Sequence, residues 1–70
     1  MTYTRVKAID LFPGALVEIG SETRLAVRIV YKDNCGYAGC VEILHGDPKT
    51  GEYLECNTFS ENHEFWTLTK

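Results

Sequence analysis

The run RLAVRIVYK (24–32) changes character with a period of two. Leu25, Val27, Ile29 and Tyr31 fall on one side of an extended chain, and Arg24, Ala26, Arg28, Val30 and Lys32 on the other. A helix would scatter both sets around its circumference, and the β-branched content favours a pleated backbone. A strand with one apolar side needs a second apolar surface to cover it, so the rest of the chain is read for segments of the same period.

Those segments are present. ALVEI (15–19) sets Ala15, Val17 and Ile19 against Leu16 and Glu18, after a turn at Phe12-Pro13-Gly14. GSET (20–23) is the hairpin turn between 15–19 and 24–32. DNCGYAG (33–39) is a loop of turn-forming residues, and CVEILH (40–45) then puts Val41, Ile43 and His45 on one side. GDPKTG (46–51) is the strongest turn signal: Asp47 opens it, Pro48 fixes φ, and Gly51 accepts a positive φ at the exit. EYLECNTF (52–59) is the next strand, with Leu54, Cys56 and Thr58 inward. SENHE (60–64) is polar and carries a capping-type serine, which predicts one 3-10 turn. FWTLT (65–69) closes the chain with Trp66 and Leu68 inward, and TRVKAI (4–9) adds a short N-terminal strand.

The order is strand, turn, strand, loop, strand, tight turn, strand, single helical turn, strand. Over residues 12–69 this arrangement resembles the SH3-like small barrel, a likeness of element order and not of a residue motif. The resemblance implies an all-β fold: a five- to six-stranded antiparallel barrel with one short 3-10 turn before the last strand. The 70 residues are expected to form one domain, 1–70.

Composition narrows the function classes. The net charge of −3 argues against nonspecific nucleic-acid binding, which needs surplus Lys and Arg. No apolar run approaches the ~20 residues of a membrane span. MTYTRVKAID has no apolar core of a secretory signal. With three cysteines and no such signal, reduced thiols in a cytoplasmic protein are the expectation.

The cysteines and histidines raise the question of a metal. Their spacing is Cys35-x4-Cys40-x4-His45-x10-Cys56. Zinc sites usually present a close pair such as C-x2-C, and none exists here. Cys40 and His45 are five apart, so a regular strand aims them at opposite faces. Cys56 is read as a small buried hydrophobe, and His45 as half of a surface pair with Glu52 at a strand end. No metal, cofactor or catalytic residue is assigned.

Register arithmetic gives an outer face. Closing 20–24 sets Leu16 opposite Arg28, closing 33–39 sets Arg28 opposite Leu44 and Val30 opposite Glu42, and closing 46–51 sets Leu44 opposite Tyr53 and Glu42 opposite Glu55. The row Leu16, Arg28, Leu44, Tyr53 is apolar for a solvent face, and contiguous apolar patches mark interfaces. With Tyr37 in the 33–39 loop, these residues are the candidate partner-binding set. The expected function is a noncatalytic adaptor or modulator that binds another protein, of the host or a second copy of the chain. Small acidic stand-alone domains encoded by phages and other mobile elements look similar in size and charge. Two alternatives stand beside it. One is a nucleic-acid-binding barrel using the stripe Arg24, Arg28, Lys32 with Tyr37 and Tyr53 as stacking platforms. The other is a homo-oligomeric barrel with a ligand or active site on its symmetry axis.

Overall fold

The computed structural model describes residues 2–33 and 39–69. Six strands form: β1 (Thr2–Lys7), β2 (Leu16–Ile19), β3 (Glu22–Lys32), β4 (Cys40–Gly46), β5 (Glu55–Ser60) and β6 (Glu64–Thr69). One 3-10 turn spans Ala8–Asp10. All neighbouring strands are antiparallel, in one sheet of order β1-β6-β2-β3-β4-β5. The fold is thus all-β, but the sheet stays open: β1 and β5 are its outermost strands among the described residues, and the closed barrel expected from the sequence does not form.

Local chemistry explains the corners. Ile19 pairs with Glu22, so β2 and β3 are joined by the two residues Gly20 and Ser21. Gly20 has φ +68°, which a tight hairpin of this length demands at its first position. Asp47 Oδ1 accepts the backbone N–H groups of Lys49 at 2.8 Å and Thr50 at 3.1 Å, and Gly51 takes φ +76°. The turn expected at 46–51 forms through these bonds.

One face of the sheet wraps a core of Val17, Val41 and Ile43 with Ala8, Leu11, Ala15, Ala26 and Phe65, and Val6, Ile19, Ile29 and Phe59 pack around it. The inward parity expected for 15–19 and 41–45 holds: Ala15, Val17, Val41, Ile43 and His45 are buried.

Parity fails in three other segments, each for a definable reason. In β3 the register shifts between Ala26 and Arg28: Ala26 faces His45, Arg28 faces Leu44, and Val27 is the surplus residue of a β-bulge. The inner side is therefore carried by Ala26 before the bulge and by Ile29 after it, while Val27 is 39% exposed. In β5 the connection from β4 is longer than a minimal hairpin, and Leu44 pairs with Cys56 instead of Tyr53. That is a slip of three residues, an odd number, which exchanges the two faces. Phe59 packs on the core, and Leu54 and Cys56 are exposed. In β6, pairing of Val17 with Thr67 fixes the phase from the buried Val17. Phe65 and Thr67 go inward, and Trp66 is 48% exposed.

The helical turn also sits elsewhere than expected. Residues 60–63 form a hydrogen-bonded turn, His63 N–H to Ser60 C=O at 3.0 Å, and the 3-10 geometry belongs to Ala8–Asp10. There the chain leaves β1 and drives Ala8 and Leu11 into the core. The Ala8 and Ile9 N–H groups donate to the carbonyls of His63 and Glu61, which pins this turn to the β5–β6 connection.

Candidate functional site

The outer face of the sheet is the side away from the core. It carries Tyr3 and Arg5 of β1, Trp66 and Leu68 of β6, Leu16 of β2, Leu25 of β3, and beyond the bulge Arg28, Val30, Glu42, Leu44 and Cys56 of β3, β4 and β5. The cross-strand pairs Tyr3–Leu68, Leu68–Leu16 and Leu16–Leu25 run as one apolar line over four strands. Leu16, Leu25 and Leu68 are half-buried, and Tyr3 is 43% exposed. The Arg5 guanidinium lies 5.4 Å from the Trp66 ring centroid and 3.8 Å from Glu64. Such stacking on an indole face is attractive by about 0.5–1 kcal/mol at an exposed site.

On the far side of the bulge, Arg28, Val30, Glu42, Leu44 and Cys56 line an open cleft of about 250 Å³. Arg28 faces Leu44 and Val30 faces Glu42, as the strand arithmetic gives. The Lys32 ammonium donates to Glu42 Oε2 at 2.9 Å. This bond holds the Glu42 carboxyl below its ordinary range, and the Lys32 ammonium above its own. Desolvation, then the Glu42 carboxylate beside it, pushes the Cys56 thiol upward. The thiol is thereby kept in its protonated, weakly nucleophilic form.

The expected partner-binding residues are thus distributed differently from a single row. Arg28 and Leu44 are neighbours in the cleft. Leu16 faces Leu25, not Arg28, and belongs to the apolar line. Tyr53 is not opposite Leu44: it lies in the loop before β5 at φ +58° and is 79% exposed. Tyr37 lies outside the described residues, as does Cys35. Trp66 and Leu68, expected inward, lie on this outer face because β6 is phased one residue from the expectation, and Tyr3 precedes the strand expected at 4–9 but belongs to β1.

The basic stripe is also divided. The bulge turns Arg24 to the core side, where Nε donates to His45 Nδ1 at 3.1 Å and a terminal nitrogen donates to the Tyr53 carbonyl at 2.7 Å. Only Arg28 and Lys32 remain outside. His45 is 2% exposed, pairs with Glu55 and bonds Asn57, so it is a core histidine and not a surface partner of Glu52. Cys56, exposed and free, stands on the opposite face from His45. Cys40 is buried and disulfide-bonded, which removes the argument from reduced thiols for a cytoplasmic protein. Among the described residues, no three His, Cys, Asp or Glu side chains gather as a metal site, and no helix is long and apolar enough to cross a membrane.

No protein-family model and no curated protein matches the chain.

Proposed function

We propose that this chain is a noncatalytic adaptor or modulator that binds another protein through the outer face of an SH3-like sheet. The strand order supports the fold reading: β2 to β5 follow one another across the sheet, and β6 returns beside β2. The observation that carries the functional reading is the apolar line Tyr3–Leu68–Leu16–Leu25 with Trp66 beside it, on a face that no other strand of the described residues covers. Large exposed aromatics next to an arginine are the residue types that dominate protein interfaces. The chemistry of His45 on the core side and of Cys56 on the outer face favours binding over catalysis. Both His45 ring nitrogens are occupied, and the Cys56 thiol is held protonated.

The test is capture from an extract of the source cells on immobilised protein, beside the variants Trp66→Ser and Leu44→Asp. A partner retained by the wild type should be lost from both variants while each keeps the wild-type circular dichroism. A partner that binds both variants undiminished refutes the reading.

A further inference from the structure

The β5 edge and the Arg28 cleft lie side by side, and together they specify the chemistry of a bound segment. β5 hydrogen-bonds only β4, so one side of its backbone has no strand beside it among the described residues. The other edge, β1, carries Arg5 and Lys7, and cations of this kind discourage strand addition. β5, with the sequence ECNTFS, carries no lysine, no proline and no bulge. It is the edge open to an added strand.

A strand added there continues an existing row. Arg28 pairs with Leu44 and Leu44 with Cys56, so the residue opposite Cys56 on an added strand is the fourth member of that row. It would stand about 14 Å from β3, three strand spacings of about 4.8 Å. An extended arginine and an extended glutamate leaning toward each other over Leu44 and Cys56 narrow that gap to Coulombic range. Arg28 is exposed and makes no hydrogen bond or ion pair with any described residue. Glu42, its nearest carboxylate, is already engaged by Lys32 at 2.9 Å. Glu42 also feels the Arg28 charge, so Arg28 and Lys32 together set two cations against one carboxylate beside the apolar walls of Val30 and Leu44. Glu55 projects to the opposite face from Cys56 and does not oppose a carboxylate placed in this row.

We infer that β5 takes an extended acidic peptide of a partner protein as a seventh strand, with a Glu side chain of that strand aimed at Arg28 over the Leu44–Cys56 cleft. This rests on the protein-binding reading above and names the segment bound. The occupant is an acidic strand, not a second copy: the chain's own edge strands offer basic β1 and an uncharged centre in β5.

The experiment titrates a synthetic peptide of alternating valine and glutamate, and its valine–lysine counterpart, into the full chain. Fluorescence anisotropy reads affinity, and amide hydrogen exchange reads which strand is covered. The glutamate peptide should bind and protect β5 amides. Arg28→Ala should weaken it about tenfold, the loss of a charge-assisted contact at a partly open site. Arg28→Lys should recover part of that loss, because it keeps charge but not the forked geometry. Equal binding of both peptides, protection of β1 in place of β5, or no binding at all overturns the inference. Protection of β5 that rises with protein concentration without peptide also overturns it, because a second copy then occupies the edge. If the peptide fails while Trp66→Ser and Leu44→Asp still lose a captured partner, the outer-face reading stands and the β5 inference alone falls.

Discussion

His45 Nε2 lies 2.7 Å from Asn57 Oδ1 on the buried side of the sheet, while Arg24 Nε donates to His45 Nδ1 at 3.1 Å. Because Nδ1 accepts, the ring proton resides on Nε2 and is donated to Asn57. The chain Arg24–His45–Asn57 satisfies every polar atom of a histidine that is 2% exposed. Asn57→Ala removes the acceptor and strands a buried N–H, at a cost of about 1–2 kcal/mol. Asn57→Asp keeps an acceptor at the same place and should retain most of the stability. Urea denaturation of the two variants separates these outcomes, and equal losses would disprove the tautomer.

Gly46 is fixed by a different constraint. A Cβ at this position would stand 2.6 Å from the carbonyl oxygens of both Gly51 and Glu52. These are backbone atoms, tied down by the Asp47 N–H to Glu52 C=O bond of 2.6 Å. They have no side-chain freedom with which to yield. Gly46→Ala should therefore lower stability by about 1–3 kcal/mol, the usual range for overpacking. Thermal unfolding followed by circular dichroism checks it.

Much of this architecture was legible in the residues. The strands at 15–19, 24–32, 40–45 and 65–69 exist, Asp47 and Gly51 make the turn, and Arg28 pairs with Leu44. What the sequence hid was phase. Alternation in 24–32 is so regular that nothing in it marks Val27 as surplus: both faces of the run contain apolar residues, and Ala26 is as plausible inside as Val27. Tyr53 looked like a strand residue because nothing in its chemistry announces a positive φ. Alternation in 65–69 lets either Trp66 or Phe65 face inward, and it is Phe65 that fills the core. The Arg28–Leu44 and Val30–Glu42 pairs of the cleft are thus readable from strand arithmetic, whereas Cys56 joins them only through the three-residue slip of β5.

Val27 itself gives a sharp test of phase. Ala26 already faces His45 and Arg28 already faces Leu44, so deleting Val27 leaves a regular ladder with every other side chain on its present face. Deletion of Val27 should fold and lose no more than about 1–2 kcal/mol. Deletion of Ile29, three residues from the start of the bulge and in regular pairing with Ile43, removes a core contact and flips its neighbours. It should not fold. A folded Ile29 deletion beside an unfolded Val27 deletion would refute the bulge.

Asp47 sets a pH dependence. Its carboxylate accepts the Lys49 and Thr50 N–H groups, and these bonds lower its pKa from the ordinary 3.8. A folded-state pKa below the unfolded one means the charged carboxylate is favoured by folding. That stabilisation is fully present above 3.8 and is lost as pH falls through the lower folded-state value. Asp47→Asn keeps an acceptor but no titrating charge. The gap in thermal midpoint between wild type and Asp47→Asn should be constant at neutral pH and shrink on acidification below about 3.8. A gap that widens in acid contradicts the assignment.

Tyr53 is the one described non-glycine residue with positive φ, at +58°. A side chain in this left-handed conformation costs about 1–2 kcal/mol. The residue is 79% exposed, so it returns little by burial. The conformation is held from outside the residue: Arg24 donates to the Tyr53 carbonyl at 2.7 Å, and Arg24 is itself fixed by His45. Tyr53→Gly relieves the clash of Cβ with the backbone and gives back roughly 0.5–1 kcal/mol in chain entropy. The variant should therefore be more stable than wild type by about 0.5–1 kcal/mol. Its carbonyl remains in place, so Arg24→Ala should destabilise the Tyr53→Gly background as much as the wild type. If Tyr53→Gly instead loses stability, the ring makes contacts that its exposure does not reveal, and Tyr53 returns to the candidate docking surface.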